Sequence, residues 1–176
     1  MLIYQQEFCE LTLKEGIEEY RSYLRANNRH VLGENCSEDE KLTILGHDAT
    51  HVIFGLDTSL EEEAMLDCWV IFGGGVFKVV KEFYKGSLDL KETNEKVFAL
   101  TKEVGYLKFT YLYLRVMFQK WPKIFFRTRK MKKWSYFFPS DFLEKKVSDL
   151  RKDFNIKILS PEERKMKKIF WQRAIS

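Results

Sequence analysis

The sequence predicts an all-α fold in a single compact multi-helix domain spanning residues 1–176. Apolar residues recur with a period near 3.6 rather than alternating, Ser/Thr-x-x-Glu caps recur along the chain, and only three prolines are present. A chain of 176 residues with 45% hydrophobic content can bury a core of its own. One exception is left open, because the aromatic stretch after Tyr106 could contain a short strand.

The first predicted helix begins at Thr12-x-x-Glu15, which has the sequence of a capping box, and it ends near Asn27-Asn28. We expect this helix to serve packing. The loop after it carries His30, which is either an additional metal ligand or, as is more usual for an isolated loop histidine, a surface residue.

Two further helices are predicted from their ends. Ser37-Glu38-Asp39-Glu40 predicts the start of the second helix, and Gly55 predicts its end as a C-cap. Ser59-x-x-Glu62 predicts the capping box of a third helix. A turn this short folds the third helix back on the second, so side chains near the joined ends should meet.

The second helix carries His47-Asp48-Ala49-Thr50-His51, and eleven residues separate His51 from Glu63. Residues four apart share one face of a helix, so the two histidines can offer their imidazole nitrogens to one cation. Asp48 flanks the same surface, and the turn brings Glu63 to it. We therefore predict a site for a divalent metal. Its predicted ligands are His47, Asp48, His51 and Glu63.

The residues of this motif also have plainer interpretations. A histidine pair at this spacing occurs by chance on many helices, and Glu61-Glu62-Glu63 is a run that usually forms a solvated first turn. The apolar residues around the motif favour the metal, because buried imidazoles need partners that one cation would satisfy together. Cys68 is considered as a fifth ligand, although a free cysteine is more often a small buried hydrophobe. Asp67 is a candidate to orient a ligand from behind.

The pattern His-Asp-x-x-His, eleven residues and Glu resembles the signature of the fourth protein of coenzyme Q biosynthesis, the Coq-four family. The similarity extends loosely over residues 10–159, through Glu18-Glu19-Tyr20, Phe54-Gly55-Leu56 and Trp69. The resemblance implies an all-α protein of ubiquinone biosynthesis. Its implied reaction removes the C1 carboxylate of a prenylated 4-hydroxybenzoate-type intermediate and installs a hydroxyl there.

The resemblance also implies the cofactor and the partners. The chain would be a metal-dependent decarboxylase, and zinc is the metal we expect, with Fe(II) or Co(II) as alternatives that the same donors accept. Its ligand would be the prenylated quinone precursor or another isoprenoid lipid, and its protein partners the other quinone-biosynthesis proteins. Asp48 could be a fourth ligand, a catalytic general base or a carboxylate that orients a histidine.

Two other functions are left open. In the main alternative, the chain is a non-catalytic lipid-binding scaffold that organises quinone-biosynthesis proteins and holds a structural metal. A metal-dependent hydrolase is ranked lower, because such enzymes usually need a further histidine, and His30 is the only spare one.

Charge is lopsided along the chain: residues 120–176 carry 17 basic and 6 acidic residues, whereas residues 1–119 carry 13 and 20. Basic and aromatic side chains interleave over 106–138. The densest basic cluster comprises Arg127, Arg129, Lys130, Lys132 and Lys133. This pattern predicts an anionic membrane surface as a partner, where cations meet headgroups and rings lie at the interface. Nucleic acid is less favoured, and in a third interpretation the rings are core residues solvated by lysines.

The remaining features bear on the tail and the compartment. An amphipathic helix is expected over Phe142–Phe154, and Ser160-Pro161-Glu162-Glu163 starts a last helix in a basic tail, 160–176, which docks on the core or on a partner. Gly73-Gly74-Gly75 predicts a helix end or a close approach of backbone. The first nine residues lack a targeting pattern, and three cysteines form no CxxC, which favours a reducing compartment. We expect a cytoplasmic protein peripheral to the bacterial inner membrane, or the matrix face of the mitochondrial inner membrane in a processed eukaryotic protein.

Overall fold

The computed structural model describes residues 1–29, 31, 38–74, 101–102 and 104–169, with the backbone alone for 38–40. Seven α-helices and two short 3-10 helices have both ends within these ranges, which contain no strand, so the all-α prediction is confirmed. The α-helices are α1 (Leu13–Ala26), α2 (Glu38–Phe54), α3 (Leu60–Gly73), α4 (Tyr106–Gln119), α5 (Trp121–Thr128), α6 (Val147–Asp153) and α7 (Pro161–Arg164). The 3-10 helices are Ile3–Gln5 and Ser140–Glu144.

Some predictions fall on other parts of the chain. His30, Ser37, Gly75 and residues 170–176 lie outside the described residues. The domain boundary 1–176 stays a prediction for the same reason. The described helices do share one hydrophobic core, and Phe54 of α2 stacks on Trp69 of α3 at its centre with ring centroids 4.6 Å apart. Within the described ranges, no helix combines the length and apolarity needed to cross a bilayer.

Helix α1 has the predicted ends. The Thr12 hydroxyl accepts a hydrogen bond from the Glu15 N–H, and the Glu15 carboxylate accepts one from the Thr12 N–H, so the capping box is complete. Asn27 is the C-cap. The helix is therefore fixed by local contacts that the sequence alone displays.

Two glycines allow α2 to be packed closely on both sides. A Cβ at Gly16 of α1 would stand 2.6 Å from Cγ1 of Val52, and a Cβ at Gly46 would collide with the backbone carbonyl of Tyr136. Any side chain at these positions would push its neighbour away. The glycines thus set the distance between α2 and the elements that flank the histidines.

Helix α2 ends at Gly55 as predicted. Gly55 has φ 67°, its N–H donates to the Val52 carbonyl at 3.2 Å, and the Leu56 N–H donates to the His51 carbonyl at 3.0 Å. These two bonds are a Schellman motif, in which glycine provides the left-handed residue. The turn therefore reverses the chain one turn after the second histidine.

Arg151 of α6, which is distant in sequence, caps the C-terminal end of α2. Its buried guanidinium donates to the carbonyls of Val52 and Ile53 at 2.8 Å, and to those of Tyr4 and Gln6 at 2.6 Å. The last carbonyls of a helix have no i+4 donor within it. Arg151 satisfies the Ile53 carbonyl and adds a second donor to the Val52 carbonyl, which also accepts from Gly55. Burial lowers the pKa of Arg151 to about 10.

At the start of α3, one of the two hydrogen bonds of the predicted capping box is present. The Ser59 hydroxyl accepts from the Glu62 N–H, but the Glu62 carboxylate accepts from the Asp57 N–H at 2.6 Å instead of returning to Ser59, whose own N–H donates to Asp57. The expected capping box is therefore replaced by a hydrogen-bond network that also includes Asp57. At the other end, α3 finishes at Gly73, with Gly74 at φ 99° as its C-cap, as the glycine run predicted.

In the C-terminal half one prediction is wrong, and one possibility that was left open is not found in the described residues. The helix expected over Phe142–Phe154 is interrupted, because Lys145 accepts a backbone hydrogen bond from Leu13 and Lys146 pairs with Thr12 in an isolated bridge. Extended pairing with the segment before α1 thus displaces the helix. The short strand considered after Tyr106 is not found within the described part of that stretch, where α4 and α5 occupy most of the chain up to residue 128.

Glu61 and Glu62 are fully buried, so the plainer interpretation of the acidic run as a solvated first turn does not hold for them. The Glu61 carboxylate accepts from the Ile169 N–H at 2.7 Å and lies 3.5 Å from Nη2 of Arg115. The Leu60 N–H in turn donates to the Ile169 carbonyl. Of the two docking sites considered for the tail, the described residues therefore occupy the core.

Charged residues of this tail neutralise the start of α3. The Lys168 ammonium lies 2.5 Å from Asp57 and 2.6 Å from Glu62, and Arg164 lies 3.4 Å from Glu62. Burial raises the pKa of Glu62. Burial would also raise the pKa of Asp57, but Lys168 and the hydrogen bonds from Ser59 together lower it. Buried carboxylates are tolerated here because cations and N–H groups surround them.

Candidate metal centre

Three of the four predicted ligands converge where α2 and α3 meet. One ligand atom from each of His47, His51 and Glu63 lies within 4.8 Å of the others. Nε2 of His51 is 3.3 Å from Oε1 of Glu63, and Nε2 of His47 is 3.9 Å from Oε2. The i, i+4 spacing and the tight turn thus place two imidazoles around one carboxylate.

His51 is held rigidly and is completely buried. Its Nδ1 lies 3.3 Å from the carbonyl oxygen of Leu56, and the backbone N–H of Leu56 donates to the His51 carbonyl. The Tyr20 ring stacks on the imidazole with ring centroids 4.8 Å apart. With the Nδ1 proton donated to Leu56, the neutral ring presents the lone pair of Nε2 to Glu63, and Nε2 has no hydrogen-bond partner. Two electron-rich atoms buried this close require a cation between them, either a proton or a metal ion.

Asp48 lies beside the outer nitrogen of His47, Nδ1, which has no hydrogen-bond partner among the described residues. Nδ1 of His47 lies 3.6 Å from Oδ1 of Asp48, and Oδ2 of Asp48 accepts a 2.7 Å hydrogen bond from Nε of Arg21 on α1. Burial alone would lower the pKa of His47, but Asp48 and Glu63 outweigh it and raise that pKa. A carboxylate behind the outer nitrogen of a histidine is the usual arrangement around metal-binding imidazoles.

Asp48 therefore lies beside the group without joining it. Its carboxylate is buried, and Arg21 engages Oδ2, so only Oδ1 is free of this ion pair. Arg21 was missed by the sequence analysis. No local pattern marks Arg21, because its contact with Asp48 spans 27 residues.

The centre is open on one side. The side chains of His47 and Glu63 are 30% and 19% exposed, whereas His51 is 0% exposed. Burial would raise the pKa of Glu63, but the two histidines lower it, so the carboxylate is available as an anionic ligand. Three protein donors with an accessible face suit zinc, Fe(II) or Co(II), since such sites keep a position for water or substrate.

Asp67 and Cys68 fill different positions. Asp67 accepts a 3.0 Å hydrogen bond from the Tyr113 hydroxyl, and burial together with the charge of Glu63 raises its pKa. Cys68 is buried against α5, with Sγ 3.8 Å from the Trp121 carbonyl, and burial raises its pKa to about 12. Cys68 therefore packs as a small hydrophobe and does not join the histidines.

The predicted basic cluster divides into one structural residue and several exposed ones. Arg127 binds both carboxylate oxygens of Glu163 at 2.9 Å and donates to the Lys157 and Ile158 carbonyls. Its role is therefore structural. The exposed members are Arg129, Lys130, Lys132 and Lys133.

The aromatic residues divide in the same way. Trp134 packs with Phe138, Phe142 and Phe154 in one ring cluster, as core residues would. On α4, by contrast, four apolar side chains at spacings of three and four form a stripe that is between 45% and 89% exposed. This exposed stripe comprises Leu107, Tyr111, Leu114 and Phe118.

In comparisons with protein-family models, curated proteins and solved structures, nothing matches the chain. The family suggested by the motif therefore stays a prediction. The function has to be inferred from the residues of the centre and from the surfaces around it.

Proposed function

We propose that the chain is a metal-dependent enzyme of ubiquinone biosynthesis that decarboxylates and hydroxylates C1 of a prenylated 4-hydroxybenzoate-type intermediate at a membrane surface. The observation that supports the metal is the buried, unpartnered Nε2 of His51, 3.3 Å from the Glu63 carboxylate. The reaction and the pathway come from the resemblance of the motif to the Coq-four family.

Each residue of the centre has a role in this proposal. His47, His51 and Glu63 would hold the ion, which would supply Lewis-acid stabilisation of negative charge on the substrate carboxylate or phenolate. Asp48, held by Arg21, would orient His47. Because the exchange of carboxylate for hydroxyl removes two electrons from the substrate, the reaction also needs an oxidant. We propose dioxygen, which would be reduced to hydrogen peroxide while water supplies the hydroxyl oxygen and the carboxylate leaves as CO₂. The exposed side near His47 would admit the substrate.

Membrane association is the second part of the proposal. The exposed stripe on α4 offers apolar side chains, and the exposed cations Arg129, Lys132 and Lys133 follow α5. Rings and aliphatic side chains would enter the interface while cations meet anionic headgroups, each contributing about 1 kcal/mol near the surface. Such a surface would bring a prenylated substrate to the protein.

A scaffold with a structural metal is the alternative. The observation that favours it is that neither of the two described cavities borders the histidines; both lie between α5 and the segments after α6. In that case the stripe on α4 would bind lipid or the other quinone-biosynthesis proteins, and the metal would only tie α2 to α3.

Elemental analysis of protein purified without chelator or affinity tag tests the metal. Zinc, iron or cobalt should be present near one ion per chain in the wild type and be lost in His51→Ala and Glu63→Gln. Glu18→Gln, on the exposed face of α1, is the matched control and should keep the ion. Circular dichroism establishes that the variants are folded. A folded wild type without metal would refute the proposed centre.

A turnover assay separates the enzyme from the scaffold. Purified wild type, given a carboxylated prenylphenol and dioxygen without partner proteins, should release CO₂ and form the hydroxylated ring, and Glu63→Gln should not. Metal bound at one ion per chain without turnover would favour the scaffold.

Liposome flotation tests the membrane surface. Binding to anionic vesicles should weaken with salt and be lost in Arg129→Ser/Lys132→Ser/Lys133→Ser, which leaves the structural Arg127 in place. A wild type that stays unbound at low salt would refute membrane association.

A further inference from the structure

A second candidate site lies away from the histidines, between α5 and the loop after α6. It is a cavity of about 470 Å³, which falls in the range of small-ligand sites. Its lining consists of Lys123, Phe126, Arg127, Lys130, Asn155 and Lys157. Four of these six side chains are cationic and none is acidic, so the cavity is an electropositive one.

The positive charge of the cavity is only partly balanced. Glu163 is the nearby carboxylate, and it pairs with Lys123 at 3.0 Å and with Arg127 at 2.9 Å. Among the described residues, Lys130 and Lys157 have no acidic partner within 4.0 Å. One carboxylate against four cations leaves an excess of three positive charges, which repel one another unless an anion lies between them.

The walls of the cavity are fixed to each other. Arg127 donates to the carbonyls of Lys157 and Ile158, and the Asn155 amide donates to the Lys130 carbonyl at 2.6 Å. These bonds join the end of α5 to the loop after α6. A ligand would therefore meet cations whose backbone is already in position, and binding would cost little ordering of the chain.

The lining also contains an exposed aromatic ring. Phe126 is 64% exposed, so its apolar face stands beside the ammonium groups instead of in the core. Several cations next to an accessible ring suit an anion attached to an apolar or planar group. A phosphate group carries up to about two negative charges, so it would neutralise more of this excess than a single carboxylate.

We propose that this cavity binds a phosphate-bearing molecule, with Lys130 and Lys157 as the principal anion ligands and Phe126 against the group attached to the phosphate. Lys123 and Arg127, already positioned by Glu163, complete the electropositive wall. The site does not depend on the metal centre, so either proposal can fail alone.

Calorimetric titration with inorganic pyrophosphate tests the site, at about 50 mM salt where electrostatic binding is strong. The wild type should bind saturably at one site, and Lys130→Ser/Lys157→Ser should bind about tenfold more weakly or worse. The control is Lys14→Ser/Lys152→Ser, which removes the same charge from exposed lysines outside the cavity. The control pair should bind within about twofold of the wild type.

Two further ligands identify the source of the phosphate. ADP offers a soluble phosphate with a planar base, and vesicles containing phosphatidic acid offer a lipid phosphate. Tighter binding of either than of pyrophosphate, reduced by Phe126→Ala, would support the site and name its ligand class. Glu63→Gln should bind pyrophosphate like the wild type.

Two results would overturn the inference. One is the absence of saturable pyrophosphate binding by folded wild type at low salt. The other is an equal loss of binding in the control pair, which would mean that net charge and not the cavity attracts the anion.

Discussion

Replacing Arg151 by lysine removes the donors that close the end of α2. The guanidinium reaches four carbonyls at 2.6–2.8 Å through three nitrogens, whereas a lysine has a single nitrogen on a shorter stem. The charge is kept, so the variant tests the geometry of the donors. Arg129→Lys, on an exposed arginine, is the matched control.

The size of the effect follows from the acceptors left without a donor. If the lysine keeps two of the four bonds, two buried carbonyls lose their partners at about 1–3 kcal/mol each, which totals about 2–6 kcal/mol. Native domains are stable by about 5–15 kcal/mol, so this is a large fraction. With a urea m-value of about 2 kcal/mol/M, the midpoint should fall by about 1–3 M.

Urea unfolding followed by circular dichroism measures this shift, and a competing chelator measures metal affinity in the same variant. The affinity should fall as well, because the capped carbonyls of Val52 and Ile53 lie within the Schellman turn that holds the His51 ring. A midpoint within about 0.3 M of the wild type would refute the reasoning, and so would an equal shift in Arg129→Lys.

Three other predictions concern the centre and its frame. Arg21→Met should weaken metal binding about tenfold in a chelator competition by releasing Asp48, and an unchanged affinity would contradict its orienting role. Gly46→Ala should lower the unfolding free energy by about 1–3 kcal/mol in urea, because its Cβ meets the Tyr136 backbone; a neutral result would mean that this backbone yields. Burial would raise the pKa of Glu163, but the Ser160 backbone and the neighbouring cations lower it to about 2. Its folded pKa thus lies below the unfolded one, so the stability that ionised Glu163 adds is present above pH ~4.5 and lost toward pH ~2. In unfolding experiments at different pH, the difference in unfolding free energy between wild type and Glu163→Gln should shrink over that window. A difference that stays constant with pH would contradict this role of Glu163.

The sequence was sufficient where contacts are local. The spacing of His47 and His51, together with Gly55 and the Ser59 cap, predicted a turn that brings Glu63 to both histidines. The capping box of α1 was predicted for the same reason, since its bonds join residues three apart. In each case one helical turn decides the geometry.

The sequence was insufficient where a distant segment supplies the partner. Glu61 and Glu62 have the pattern of a solvated turn, and only the return of residues 164–169 explains their burial. The break before α6 has a similar origin, because Lys145 bonds to Leu13 across the fold. Such contacts leave no periodic pattern, since each partner obeys its own local rules.

The buried carboxylates at the start of α3 also affect the order in which parts of the chain can fold while it is being synthesised. Lys168 follows its partner Asp57 by 111 residues, and Arg164 follows Glu62 by 102. At a translation rate of about 5–20 residues per second, these cations would be synthesised roughly 5–20 s after their carboxylate partners near α3. During that interval Asp57 and Glu62 stay hydrated, so the helix that carries Glu63 is among the last parts of the core to close. The residues of the candidate metal centre are thus synthesised early, and we expect the helix that carries Glu63 to be fixed late in the synthesis of the chain.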